Sequence, residues 1–168
     1  MSACPTHPRG VRAVDLASAE SFVVTVLRLW AAPYKQPDIQ HPDWRAGFAA
    51  ADAEDGQQPF DTLFRTVVAH SLRALDVRCL RCPNLGEDEL TFLAMVGLLQ
   101  RHRWAEAETL LAEWLPPEAT HPALAQATLF ATAIAAAGLI LPHRSTEGED
   151  SAGVIAFPRT IHESTMVH

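Results

Sequence analysis

Apolar residues recur along this chain at steps of three and four, the spacing of one helical face, and prolines interrupt the pattern repeatedly. Between Leu16 and Ala32 the positions Phe22, Val23, Val26, Leu27 and Trp30 form such a face, and Pro33 is expected to end the helix. Pro37 to His41 reads as a loop. Pro42 then opens a short helix through Trp44, Arg45 and Phe48 that fades into the acidic turn Asp52 to Gly56. The next stripe runs from Pro59 to Leu75, with Phe60, Phe64, Val67, Val68, Leu72 and Leu75 on one side.

Asp76 to Leu85, which holds Cys79, Cys82 and Pro83, reads as a loop. After it, Glu87, Asp88 and Glu89 place negative charge on a first helical turn, and Arg101, His102 and Arg103 place positive charge at the end. That is the order the helix dipole favours, and it fixes a helix near Glu87 to Arg101. Trp104 to Leu115 follows almost at once with Ala107, Leu110, Leu111, Trp114 and Leu115 on one stripe, and Pro116 and Pro117 stop it. Thr120 is the expected cap of a last long helix ending at Gly138 or just beyond.

Apart from Val154 to Phe157, no strand pattern competes with these helices. The expectation is an all-α fold: a compact bundle of about five to six helices in a single domain over residues 1–142. Residues 143–168, polar and glycine-containing, are expected to form a flexible C-terminal tail. Phe64, Val68, Leu72, Leu93, Val96, Leu111 and Phe130 should share one core, since each lies on the apolar stripe of its own segment.

Composition agrees with a globular chain, 48% hydrophobic and 20% charged over 168 residues. A net charge of -7, with only 13 Lys and Arg, argues against a nucleic-acid partner, because phosphate binding needs a basic face. The uncharged stretch from Pro122 to Pro142 is mostly alanine and carries Gln126, Thr128 and Thr132, so a buried helix is expected there and not a membrane span. Met1 to Arg12 lacks the apolar core of a signal peptide, and three cysteines do not make a disulfide framework. A cytoplasmic, reducing location is expected.

Cys79-Leu80-Arg81-Cys82 is the sharpest chemical feature, since two thiolates at this spacing either grip one metal ion or close a redox disulfide. It is half a site. Zinc would need two further ligands, and the candidates are His70 on the preceding helix and the pair Cys4 and His7 near the N-terminus. Arg78 and Arg81 would lower a thiol pKa, yet no βαβ pattern of the thioredoxin type surrounds them. His70, among Val67, Val68, Ala69 and Leu72, is also readable as a hydrogen-bonded histidine beside the core. Asp52 to Gly56 lacks the later ligands of a calcium loop, and no nucleophile elbow, P-loop or dinucleotide fingerprint is present.

Residues 89–138, and within them the run Gln100 to Leu111, resemble a tetratricopeptide-type helical hairpin, with Trp104, Ala107 and Leu111 at the aromatic, small and large positions of the second helix. The link between the helices is about two residues short of that family's pattern, Trp114 stands where the family prefers alanine, Pro116 comes early and there is no second copy. The resemblance implies a scaffold that holds a peptide or helix of another protein. Trp104, Trp114, Arg101 and Arg103 are the candidate partner contacts. The leading expectation is thus a non-enzymatic helical module that binds another protein as regulator, adaptor or chaperone, and the alternative is a metal-binding or thiol-redox protein centred on Cys79 and Cys82. Ala127, Ala131 and Ala135 recur every fourth residue in the last helix, so it should be either central to the fold or the interface of a homodimer.

Overall fold

The computed structural model describes residues 10–143. It is an all-α bundle: 65% of these residues are helical, in six α-helices and two short 3-10 turns, and among the described residues there is no strand. The helices are α1 (Ser18–Lys35), α2 (Arg45–Ala50), α3 (Gln57–His70), α4 (Glu87–Gln100), α5 (Trp104–Ala112) and α6 (Pro117–Ala136). The Val154 to Phe157 segment and nearly all of the expected tail lie outside the described residues.

At the start of α1 the Glu20 carboxylate accepts the Ala17 backbone N–H at 2.9 Å, satisfying one of the donors that a helix N-terminus leaves unpaired. The helix buries Val23, Val26, Leu27 and Trp30 as expected but does not stop at Pro33. That proline forfeits one hydrogen bond in the last turn, while the next carbonyls remain usable: Gln36 N–H reaches Ala32 O at 2.9 Å. The α1 and α3 helices are linked by Trp30, whose indole N–H donates to Asp61 at 2.8 Å.

Helix α3 ends at His70, five residues before the end of the apolar stripe. Ser71 N–H still bonds Val67 O, but Leu72 N–H turns away to the carbonyl of Trp114 at 2.8 Å. Val68 and Leu72 therefore do not join the core and are 53% and 64% exposed, whereas Phe64, Leu93, Val96, Leu111 and Phe130 are buried together. His70 is exposed at the helix end instead of lying beside the core.

The link between α4 and α5 is a three-residue turn made possible by His102, whose φ of 60° is left-handed. Helix α6 begins at Pro117, three residues before the expected cap. Pro116 is extended, its carbonyl accepts from both Ala119 and Thr120 N–H at 3.0 Å, and Pro at the first helical position has no N–H to leave unpaired. Thr120 is internal and buried, with its hydroxyl donating to Pro116 O at 3.0 Å.

Helix α6 lies at the centre of the bundle, packed on α3, α4 and α5. Ala127 and Ala131 are covered by the chain's own helices, and of the opposite stripe Ile134 and Leu141 are buried while Leu129 is exposed. The core is built on phenylalanine rings: Phe60 to Phe130 at 5.2 Å, Phe64 to Phe92 at 4.9 Å and Phe92 to Phe130 at 5.8 Å between centroids.

Candidate functional site

Two places on the bundle have more than packing chemistry: the loop of residues 71–86 and a groove beside α5. The loop has no regular structure, so its backbone must be held by side chains. The first turn of α4 supplies them. Glu89, fully buried, takes a two-pronged contact from Arg28 of α1, Nε to Oε1 at 2.7 Å and Nη2 to Oε2 at 2.8 Å. It also accepts the backbone N–H of Gly86 at 2.8 Å and of Arg78 at 3.0 Å. The remaining Arg28 donors reach the carbonyls of Cys82 at 2.8 Å and Asn84 at 3.0 Å.

Asp88 makes a second fork, with Arg73 at 2.7 and 2.8 Å, and accepts the Asp76 N–H at 2.6 Å and the Trp114 indole N–H at 2.9 Å. Burial by itself would raise the Asp88 pKa, but the hydrogen bonds from Arg73, Asp76 and Trp114 and the Arg73 charge outweigh it and hold the carboxyl below its ordinary value. Gly86 lets the two ends of the loop cross, since a Cβ there would stand 2.1 Å from the Asp76 carbonyl oxygen. At the far end of α1, Lys35 donates to the Val77 carbonyl.

Two of the three acids that the sequence assigns to the helix dipole thus point inward and organise the loop. One signal for this stands in the sequence, an arginine at position 28 between the apolar residues Leu27 and Leu29 of α1.

Within the loop, Cys79 and Cys82 close a turn: Cys82 N–H bonds Cys79 O at 3.0 Å, the Cα atoms are 5.3 Å apart and the sulfurs lie at disulfide distance. His70 is not brought to them, and among the described residues no three His, Cys, Asp or Glu side chains gather as a metal ion would require. Cys4 and His7 lie outside the described residues.

The groove, about 480 Å³, lies between α4 and α5 and is closed by residues 141–143. Leu93, Ala94, Leu98, Leu110 and Leu141 supply its apolar surface, and Glu20, Arg101, Arg103, Glu106 and His143 its polar rim. Gln100 fastens the closing segment through Leu139 O and Leu141 N–H, both at 2.9 Å, and Arg101 donates to Leu141 O at 2.8 Å. Arg103 pairs with Glu106 on the exposed side.

Of the four candidate partner contacts, Arg101 and Arg103 line this groove, and Trp104 lies beside Arg103, 51% exposed, its ring edge-on to His102. Trp114 does not belong with them. It is 1% exposed and its N–H is committed to Asp88, because the apolar stripe of α5 faces the core. Ala107 and Leu111 are buried in the α4–α5 hairpin, while Trp104 stays largely outside it. In comparisons with protein-family models, curated proteins and solved structures, the chain matches none of them.

Proposed function

We propose that this chain is a non-enzymatic module that binds another protein through the groove between α4 and α5, acting as a regulator, adaptor or chaperone. The observation that supports it is the groove itself: an apolar channel lined also by acidic and basic residues. Such a site suits a short segment that inserts leucine-like side chains and carries both signs of charge beside them. The rim charges would set its register and the apolar contacts its affinity. We place this binding in the cytoplasm, as the odd cysteine count favours. Among the described residues no helix is long and apolar enough to cross a membrane.

The test is a pull-down from the native host with the wild type and with Ala94→Arg, which puts a long cation into the groove from an α4 position lining it. A partner captured by the wild type and lost by the variant, with the helical spectrum and melting curve unchanged, is the expected result. Equal capture of the same proteins by both chains would exclude the groove as the binding surface.

A further inference from the structure

We propose that Cys79 and Cys82 are a redox-active pair that undergoes exchange with thiols and disulfides from solution, with Cys79 the sulfur that is attacked and Cys82 its shielded partner. This inference is independent of the groove. Its first support is the asymmetry of the turn. The two sulfurs lie at disulfide distance across Cα atoms 5.3 Å apart, yet Cys79 is exposed whereas Cys82 is only 4% exposed. Leu80, Arg81 and Pro83 are exposed as well, so the outer side of the turn is open. A thiolate arriving from solvent meets Cys79 and displaces Cys82.

The second support is that the turn is held without the S–S bond. Cys82 N–H bonds Cys79 O at 3.0 Å, the buried Arg28 guanidinium donates to the Cys82 carbonyl at 2.8 Å, and Glu89 accepts the Arg78 N–H at 3.0 Å. Beyond the pair, Ala13 N–H bonds Pro83 O at 2.7 Å and Leu85 N–H bonds Val11 O at 3.0 Å. A disulfide braces a fold most when it closes a long loop of the unfolded chain, and this one joins residues only three apart. The bond can thus open and close in a turn that stays in place, with both thiols kept together for reoxidation.

The third support is charge. Arg78 directly precedes Cys79 and Arg81 directly precedes Cys82. Arg78 pairs with Asp76 through Nη2, but its Nε is buried with no hydrogen-bond partner among the described residues. Positive charge beside a sulfur favours the thiolate, which is the form that attacks and the form that leaves.

The substrates are small-molecule thiols and their disulfides. In the reducing direction a thiolate forms a bond to Cys79 Sγ, the Cys79–Cys82 bond breaks, and its electron pair leaves on Cys82 Sγ, which takes a proton from solvent. A second thiolate then attacks the non-protein sulfur of the mixed disulfide, and Cys79 leaves as thiolate and is protonated. Two thiols become one small disulfide, and two electrons pass to the protein. The oxidising direction is the reverse.

The experiment is thiol counting by alkylation and mass spectrometry on the full chain with Cys4→Ser, so that only the pair is counted. Two thiols are expected in excess reduced glutathione and none in excess oxidised glutathione, with the same helical far-ultraviolet spectrum in both. A disulfide that opens only when the chain is unfolded, thiols that never close, or loss of the helical spectrum on reduction would each overturn the proposal. Peptide mapping of the mixed disulfide trapped during reduction should find glutathione on Cys79, and glutathione on Cys82 instead would overturn the assignment. With Cys79→Ser added, the remaining Cys82 should alkylate at least about 10-fold more slowly in the folded chain than Cys79 does with Cys82→Ser added, and equal rates would overturn the shielded role.

Discussion

Helices α3 and α6 meet through phenyl rings and alanine, and each buried atom in that contact gains from leaving water whatever its exact partner is. The 71–86 loop is also held against the bundle, but by two carboxylates, two guanidinium forks and a set of backbone N–H and carbonyl groups that must all be in place together. The first kind of contact tolerates adjustment. The second is unforgiving, because removing one member leaves its partner charged and dry.

The largest loss of stability is expected at Glu89. Glu89→Ala strands the Arg28 guanidinium in a buried site and should cost about 3–5 kcal/mol in urea unfolding, whereas the double variant Arg28→Met/Glu89→Met should recover only the part due to the stranded charge, because Gly86 N–H, Arg78 N–H and the carbonyls of Cys82 and Asn84 still lose their partners. A double variant as unstable as the single would show that the loop contacts of the two side chains, and not the stranded charge, carry the stability. Next comes Leu111→Ala in the apolar region, where a cavity should cost about 2–5 kcal/mol and visibly lower the melting temperature. Ala131→Trp tests the same region from the opposite direction. Ala131 is covered within the chain, so overpacking by about 1–3 kcal/mol or more should appear as a lower melting temperature with the mass by light scattering unchanged.

Acid separates the two regions without a cavity. Asp88 has a folded-state pKa below its ordinary value of 3.8, so its contribution is complete above the unfolded value and is lost as pH falls through the lowered folded one. Stability measured between about pH 5 and pH 2 should therefore fall less steeply in Asp88→Asn than in the wild type. The smallest effect belongs to Val68→Ser and Leu72→Ser, each expected within about 0.5 kcal/mol of the wild type because both side chains face solvent.

Those last two residues mark the limit of what the sequence discloses. Periodicity locates the helices, since a three-and-four spacing reports only on the residues of one segment. It places the end of α3 too late, because Leu72 and Leu75 continue the apolar spacing while the backbone is drawn off by Trp114, 42 residues further along. Pro33 and Thr120 mislead for a related reason: a proline or a capping residue states a local preference, and neighbouring hydrogen bonds decide whether it prevails. The candidate sites divide in the same way. The C-x-x-C pair and the groove arginines 101 and 103 are visible as residue types at a spacing. The inward turn of Asp88 and Glu89 is not, since their dipole role and their buried role call for the same residues. The burial of Trp114 is not legible either, since a helical stripe has no mark that says whether an aromatic ring on it meets the core or a partner.

The Arg28–Glu89 fork also bears on the order in which the chain assembles. It joins residues 61 apart, whereas α4, α5 and α6 follow one another through short turns and meet their neighbours cheaply. Closing so long a span brings its return only when both charges are desolvated together, so α1 is expected to dock after the second half of the bundle has formed. Substitutions at Arg28 and Glu89 are then expected to speed unfolding and to leave the folding rate almost untouched, which the two arms of a denaturant chevron would read.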